Sequence, residues 1–376
     1  MDKFRYNSYA QEVIFGADSL NQLSEAVENF AQRRFMLCAN HSMQVAGHVD
    51  SVKALLGERL VASFCRVHPH VQDTQVNEIL EIVAEKKVDV FIGMGGGSPI
   101  GMAKAAAAAV EQKRDDHADV PVIAIPTTYA GSEMTPVYGI THTNENPPRK
   151  VTVSNPKIVP RLVIYDPKLT IDLPPEMTAS TGINALAHCI EALYSLKRNP
   201  LSTAVAIRGV RHISNALLRC YLDGTNLDAR TEMLLGSHLA GLSLGSVTMG
   251  LHHGLCHVLG GSAGVPHGIA NSIILPHAIR FNADITAPQL LPAAEAMGMP
   301  LNGSSPNVVI EAMIQNIFEL IRQMNLPQRL RDAGVDLRES DLPRLAQLGF
   351  QNRTVQNNPK PIADVTQIEK LLRKAW

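Results

Sequence analysis

VDVFIGMGGGSPIGMAKAAAAAV, residues 88–110, sets an apolar run, a glycine cluster and an alanine-rich segment one after another. The apolar run from Val88 to Ile92 has the length and β-branched content of a buried strand. Gly95, Gly96, Gly97 and Ser98 follow as a turn, and an alanine-rich helix is predicted from about Pro99 onward. Strand, glycine turn and helix in this order let backbone N–H groups approach an anion at the positive end of a helix dipole. A GGGS run by itself also serves as a plain packing turn, and the strand before and helix after it favour a phosphate site.

On either side the same alternation continues. RRFMLCAN, which ends in Asn40, reads as a strand, HSMQVAGHVDSVKALLGERL as helical, LVASFCRV as a strand and QVNEILEIVAEKK as a helix. VPVIAIP is a further strand, followed by the hydroxyl-rich loop TTYAGSEMTPVYGIT with Thr127, Thr128, Tyr129 and Ser132. Ligands of open parallel sheets bind outside such carboxyl ends. LVIYDPKLTIDLPP holds the last strand before the prolines at 174 and 175, and from Glu176 the pattern is almost wholly helical. The expected organisation is an α/β domain with a parallel sheet over residues 1–174 and an all-helical domain over 175–376. A chain of 376 residues is too long for one small core, so a cleft between two domains is expected.

The helical half concentrates the histidines. Five of the fourteen fall between Gly250 and Asn282: His252, His253, His257, His267 and His277. On a helix His253 and His257 share a face, as do Asn184 and His188 upstream on a helix expected to begin after Gly182. Imidazole is both a metal ligand and a proton carrier near neutral pH. Any one histidine is as readily a packed or surface residue, and it is the clustering that points to a site.

Composition narrows the partners. Apolar residues make up 45%, charged residues 18%, and the formal net charge is −1, so no global field draws nucleic acid. Neither a signal peptide nor a membrane span is read in the sequence, and a cytoplasmic protein is expected. Cys38, Cys65, Cys189, Cys220 and Cys256 are odd in number and form no CxxC pair, which speaks against a disulfide framework or a thiolate zinc site.

Taken together, GGGSP, PTTYAGSEMTP, TGINALAHCIEALY, LHHGLCHVLGG and PHGIAN resemble the group III, iron-containing alcohol dehydrogenase superfamily. Within it the chain is most similar to maleylacetate reductases, because general alcohol dehydrogenases usually carry PTTAGTGSE where PTTYAGSE stands here. The resemblance spans almost the whole chain. It implies a dehydroquinate synthase-like architecture, a nicotinamide cofactor (NADH, NADPH or both) and a homodimer. It further implies cofactor contacts at Gly95, Gly96, Gly97, Ser98, Thr127, Thr128 and Ser132. Asn40 stands where strictly NAD-dependent relatives often have an Asp, and an amide does not repel a 2′-phosphate. The family's metal positions fall on Asn184, His188, His253 and His267. Since Asn replaces the Asp, iron or zinc is expected to bind weakly and not to be required.

What the resemblance implies for the chemistry is reduction of the carbon–carbon double bond of maleylacetate to 3-oxoadipate, in the degradation of aromatic compounds. Hydride adds to the alkene carbon distal to the conjugated ketone, and the resulting enolate is held by hydrogen-bond donors and protonated. His253 and His257 are expected in enolate stabilisation or proton transfer, with His188, His252 and His267 lining the pocket. Lys150, Arg149, Tyr129 and Tyr138 are the expected donors for a small dicarboxylate substrate. The rival readings are a metal-dependent alcohol dehydrogenase or aldehyde reductase acting on a small alcohol, and an inactive nucleotide-binding protein.

Overall fold

The computed structural model describes residues 3–28, 30, 31, 33–113, 119–143, 149–301 and 303–376. The chain divides into two compact units, one of residues 7–173 and one of residues 1–6 with 174–376.

The first unit is built on a six-stranded parallel sheet. Its strands are β1 (Glu12–Phe15), β2 (Phe35–Ala39), β3 (Leu60–Phe64), β5 (Val90–Gly95), β6 (Val122–Pro126) and β9 (Leu162–Tyr165), in spatial order β1-β9-β6-β5-β2-β3. Between β3 and β5 lies the short β4 (Val71–Gln72). It pairs with β7 (Val137–His142), which pairs antiparallel with β8 (Arg149–Ser154), so that a second sheet of three strands forms. TTYAGSEMTPVYGIT is therefore not a single loop: its last residues enter β7, where Tyr138 and Ile140 pack on an apolar cluster.

Side chains alternate across the main sheet, as the two-residue period of a strand requires. Leu37, Ala39, Val90, Ile92, Ile123 and Ile164 join one core layer, and Met36, Cys38, Phe91 and Val122 the other. Helices α1 (Leu23–Ala26), α2 (His41–Val45) and α3 (His48–Leu56) accompany the first layer, and α4 (Asp73–Lys86) and α5 (Gly97–Lys113) the second. The expected helix over HSMQVAGHVDSVKALLGERL is two helices, because Gly47 turns with φ +80° between α2 and α3. The alanines of α5 let that helix sit low on the sheet, and most of its residues are buried.

The second unit is helical. It contains α6 (Pro175–Tyr194), α7 (Pro200–Leu222), α8 (Leu227–Ser246), α9 (Leu251–Ala263), α10 (His267–Ala296), α11 (Pro306–Gln323), α12 (Leu342–Gln351), α13 (Arg353–Gln356) and α14 (Val365–Lys374). Helix α6 starts at Pro175, not after Gly182: proline is favoured in the first turn, where its missing N–H costs nothing. From Gly182 to Tyr194 every residue of α6 is buried, the pattern of a central helix. Helix α10 runs through Pro276, Pro288 and Pro292, against the usual rule that an interior proline ends a helix. No single helix among the described residues is long and apolar enough to cross a membrane.

Candidate functional site

Two constellations carry chemistry, one in each unit. In the α/β unit it lies at the carboxyl ends of β2, β5 and β6, which are neighbours in the sheet. Between β2 and β5 the strand order reverses, the place where open α/β sheets hold ligands. The turn after β5 is shaped by Gly95, whose φ of +135° is a conformation L side chains rarely adopt. A Cβ there would also stand 2.9 Å from the Pro99 ring and 3.5 Å from Oδ1 of Asn40. Helix α5, 17 residues long, then begins at Gly97, so its unpaired N–H groups and positive dipole end face the turn.

Asn40, directly after β2, has a buried Oδ1 with no hydrogen-bond partner among the described residues. The backbone N–H of Thr127 donates to the Gly95 carbonyl at 3.0 Å, joining the two predicted loops. Thr128 is the side chain that a Cβ on Gly96 would meet, at 3.2 Å. Ser98 Oγ accepts from the His70 N–H at 3.2 Å. The structure thus gathers Asn40, Gly95, Gly96, Thr127 and Thr128 at one sheet end. Tyr129 is fully buried. Lys150 occupies a β8 position opposite Thr141, and its side chain lies outside the described ones, as does that of Arg149. Ser132 opens a turn whose backbone is tied to a residue the motifs do not include, Lys104. The Lys104 ammonium is buried and donates to the carbonyls of Ser132 at 2.5 Å and Thr135 at 2.7 Å. Burial draws its pKa down to about 7, against the opposing pull of the Glu133 carboxylate. A lysine in a buried alanine run was the only signal for it in the sequence.

In the helical unit, α6 presents Asn184, His188 and Glu191 at positions i, i+4 and i+7, one face of the helix. Helix α9 presents His252, His253 and His257, and α10 opens on His267. The His188 and His253 rings stack at 4.6 Å between centroids, and those of His257 and His267 at 5.8 Å. His253 also meets His252 edge-on at 4.7 Å and His267 at 6.4 Å. His277 of the same stretch does not join them: it packs edge-on against Phe318 at 5.6 Å.

Three buried atoms in this cluster have no hydrogen-bond partner among the described residues: Oδ1 of Asn184, Nδ1 of His188 and Nε2 of His253. Buried polar atoms are seldom left unpaired, and such a set is what a ligand, water or cation completes. Burial lowers the proton affinity of His188 and His253 well below the usual imidazole range, reinforced by the neighbouring histidines, so both rest neutral. Neutral imidazole is the ligating form. These atoms, with His267 beside them, therefore fit the divalent cation that the family pattern implies, although none is a carboxylate. Glu191, His252 and His253 also bring ligand-type atoms within 4.8 Å of one another. Those atoms are spent on each other, since Glu191 Oε2 lies 2.6 Å from His253 Nδ1.

Glu191, one turn beyond His188 on α6, is a functional residue that no ligand spacing in the sequence marks. Its fully buried carboxylate accepts the backbone N–H groups of Gly250 (3.2 Å), His252 (3.1 Å) and His253 (3.2 Å), the first turn of α9. It thereby caps the helix carrying three of the histidines. Burial pushes the Glu191 carboxyl up, while His252 and these N–H groups pull it down. A Cβ at Gly250 would crowd this arrangement, standing 3.3 Å from Glu191 Oε1 and 3.2 Å from Asn358 Oδ1.

An α/β unit with a phosphate-type turn is followed along the chain by a helical unit with a buried histidine cluster, the two-part arrangement of an enzyme with an anion-type site in one unit and an acid–base or metal-binding site in the other. The comparisons agree: residues 10–167 match the iron-containing alcohol dehydrogenase model and residues 178–376 the C-terminal model of the Fe-containing alcohol dehydrogenase family. The chain belongs to the iron-containing alcohol dehydrogenase family and is an oxidoreductase. It is 32% identical to a maleylacetate reductase of Sphingobium indicum over 99% of this chain and 97% of that one. It is 34% identical to a maleylacetate reductase of Burkholderia cepacia over 96% and 95%. The crystal structure of maleylacetate reductase from Agrobacterium tumefaciens superposes with a TM-score of 0.86 at 30% identity, covering 100% of this chain and 99% of that one.

Proposed function

We propose that this oxidoreductase is a maleylacetate reductase, which transfers hydride from NADH or NADPH to the double bond of maleylacetate or a substituted maleylacetate and forms 3-oxoadipate. The observation that carries the reading is full-length similarity to maleylacetate reductases, joined to an amide, Asn184, at the head of the buried donor set. A conjugated enone needs less polarisation than an isolated carbonyl, so a site without a carboxylate ligand suits it.

The Gly95–Ser98 turn and the start of α5 hold the cofactor pyrophosphate, and Asn40 faces its ribose and accepts either cofactor form. Hydride forms the new C–H bond at the alkene carbon distal to the ketone, and the electron pair moves onto the ketone oxygen as an enolate. The histidine cluster hydrogen-bonds that oxygen and passes on the proton that completes the second C–H bond: His253 takes up a proton at its Nε2 lone pair and gives it to the enolate carbon, with His257 as the other group in reach. A divalent cation, when bound, would be held by Asn184, His188, His253 and His267 and would supply Lewis-acid polarisation of the ketone. The family resemblance further supports a cytoplasmic homodimer without nucleic-acid or membrane partners.

The test is oxidation of NADH by freshly generated maleylacetate, with protein stripped of metal by chelator. Rapid turnover is expected. Inactivity restored by iron or zinc, together with turnover of simple aldehydes, would instead assign a metal-dependent alcohol dehydrogenase.

A further inference from the structure

We propose that Glu191 is a positioning residue that fixes His253 as its Nδ1–H tautomer and so directs a bare Nε2 lone pair to the reaction site. The inference rests on the reading above only in taking the histidine cluster as that site.

Two independent constraints give the same proton placement. On one side, Glu191 Oε2 lies 2.6 Å from His253 Nδ1 and also accepts the His253 backbone N–H at 3.2 Å, while Oε1 accepts those of Gly250 and His252. A carboxylate that takes three backbone N–H groups already acts as an acceptor at both oxygens, and the short contact to Nδ1 then asks for an N–H there. On the other side, His252 Nε2 lies 3.1 Å from the backbone carbonyl of Asn271, which can only accept, so this nitrogen carries the His252 proton. The Cys256 thiol, 3.7 Å from the same nitrogen, is the weaker partner. His252 Nδ1 is then bare. It lies 3.1 Å from His253 Nδ1, and two bare nitrogens do not face each other at that distance. The proton therefore sits on His253 Nδ1, shared between Glu191 and His252. A protonated Glu191 donating to His253 would leave two lone pairs opposed.

The consequence falls on His253 Nε2. It is buried, it has no partner among the described residues, and its ring stacks on that of His188 at 4.6 Å. The tautomer makes this nitrogen a lone-pair donor; the opposite tautomer would put an N–H there. Outer partners of this kind orient a ring that acts at its other nitrogen. Glu191 is thus not a catalytic residue, since it acts only through His253 and through the capped start of α9.

The experiment is histidine-selective 15N NMR of the chelator-treated, substrate-free protein, with His253 assigned by its loss in a His253→Gln variant. A protonated Nδ1 and a bare Nε2 are expected for His253. In Glu191→Gln the side-chain amide can turn its N–H to Nδ1 and only His252 still favours the Nδ1–H form, so a substantial share of the Nε2–H tautomer is expected. With it, kcat for maleylacetate should fall about 10- to 100-fold while KM for NADH is retained. Glu191→Asp, which keeps the carboxylate, should recover part of both the tautomer and kcat, and it serves as the informative variant where Glu191→Gln does not fold. An Nε2–H tautomer in the unmodified protein, or Glu191→Gln with unchanged tautomer and kcat, would overturn the proposal. Because the tautomer is read without substrate, a protein that shows it and yet leaves maleylacetate untouched would sink the substrate assignment alone.

Discussion

Lys104 Nζ donates to the Thr135 carbonyl oxygen at 2.7 Å, inside the protein and 31 residues away along the chain. The same ammonium reaches the carbonyls of Ser132 and Val137, so one side chain of α5 pins the loop that follows β6. Replacing it by methionine removes a costly buried charge but strands three carbonyls, so the net stability change in Lys104→Met should stay within about 2 kcal/mol. The loop should nevertheless loosen. Faster amide exchange across residues 132–137, with weakened NADH binding, is the expected result. Unchanged exchange there would mean that the loop is held by other contacts.

Asn184 contributes a buried, unpaired amide oxygen to the donor set. Asn184→Asp would put a negative charge beside His188 and His253, and affinity for Zn²⁺ should rise roughly tenfold or more, about 1.4 kcal/mol. Competition with a chromophoric chelator measures it. An affinity equal to that of the unmodified protein would remove Asn184 from the set.

The Asn40 amide, with an unpaired buried Oδ1 at the end of β2, bears on cofactor choice. Asn40→Asp should leave kcat/KM with NADH within about threefold and reduce it with NADPH by about tenfold or more, because like charges brought together cost several kcal/mol. Equal loss with both cofactors would place Asn40 away from the ribose.

His277 lies outside the histidine cluster, and burial, assisted by the Arg280 and Lys374 charges, lowers its pKa to about 4. His238 is lowered to about 4 by burial as well. Between pH 6.5 and 4 the unfolded chain takes up protons that these folded side chains refuse, so stability falls as pH falls through that window. Above it the two histidines contribute no pH dependence. His277→Leu should flatten this acid limb by about 3 kcal/mol, read from urea midpoints between pH 7 and pH 4. Parallel curves for the two proteins would show that another group dominates.

The strands of the main sheet from β2 onward were legible because each is a short apolar run bounded by glycine, proline or charge, and the Gly95–Ser98 turn because glycine marks a backbone that other residues cannot follow. Strands β1, β4, β7 and β8 were not read. They are short, or they continue a segment whose hydroxyls and glycines resemble a loop, and their pairing depends on partners far along the chain. Helix α10 hid its length behind three prolines, which its packing overrides.

Spacing along a helix was enough to put Asn184 with His188 and His253 with His257, since residues four apart share a face wherever the helix goes. That α6 and α9 bring those pairs together, that His277 turns away to Phe318, and that Glu191 both caps α9 and holds His253 were decided by tertiary structure alone. The physical reason is burial. A carboxylate inside the protein must find N–H donors, and which donors it finds depends on the helix that packs beside it, not on its neighbours in sequence.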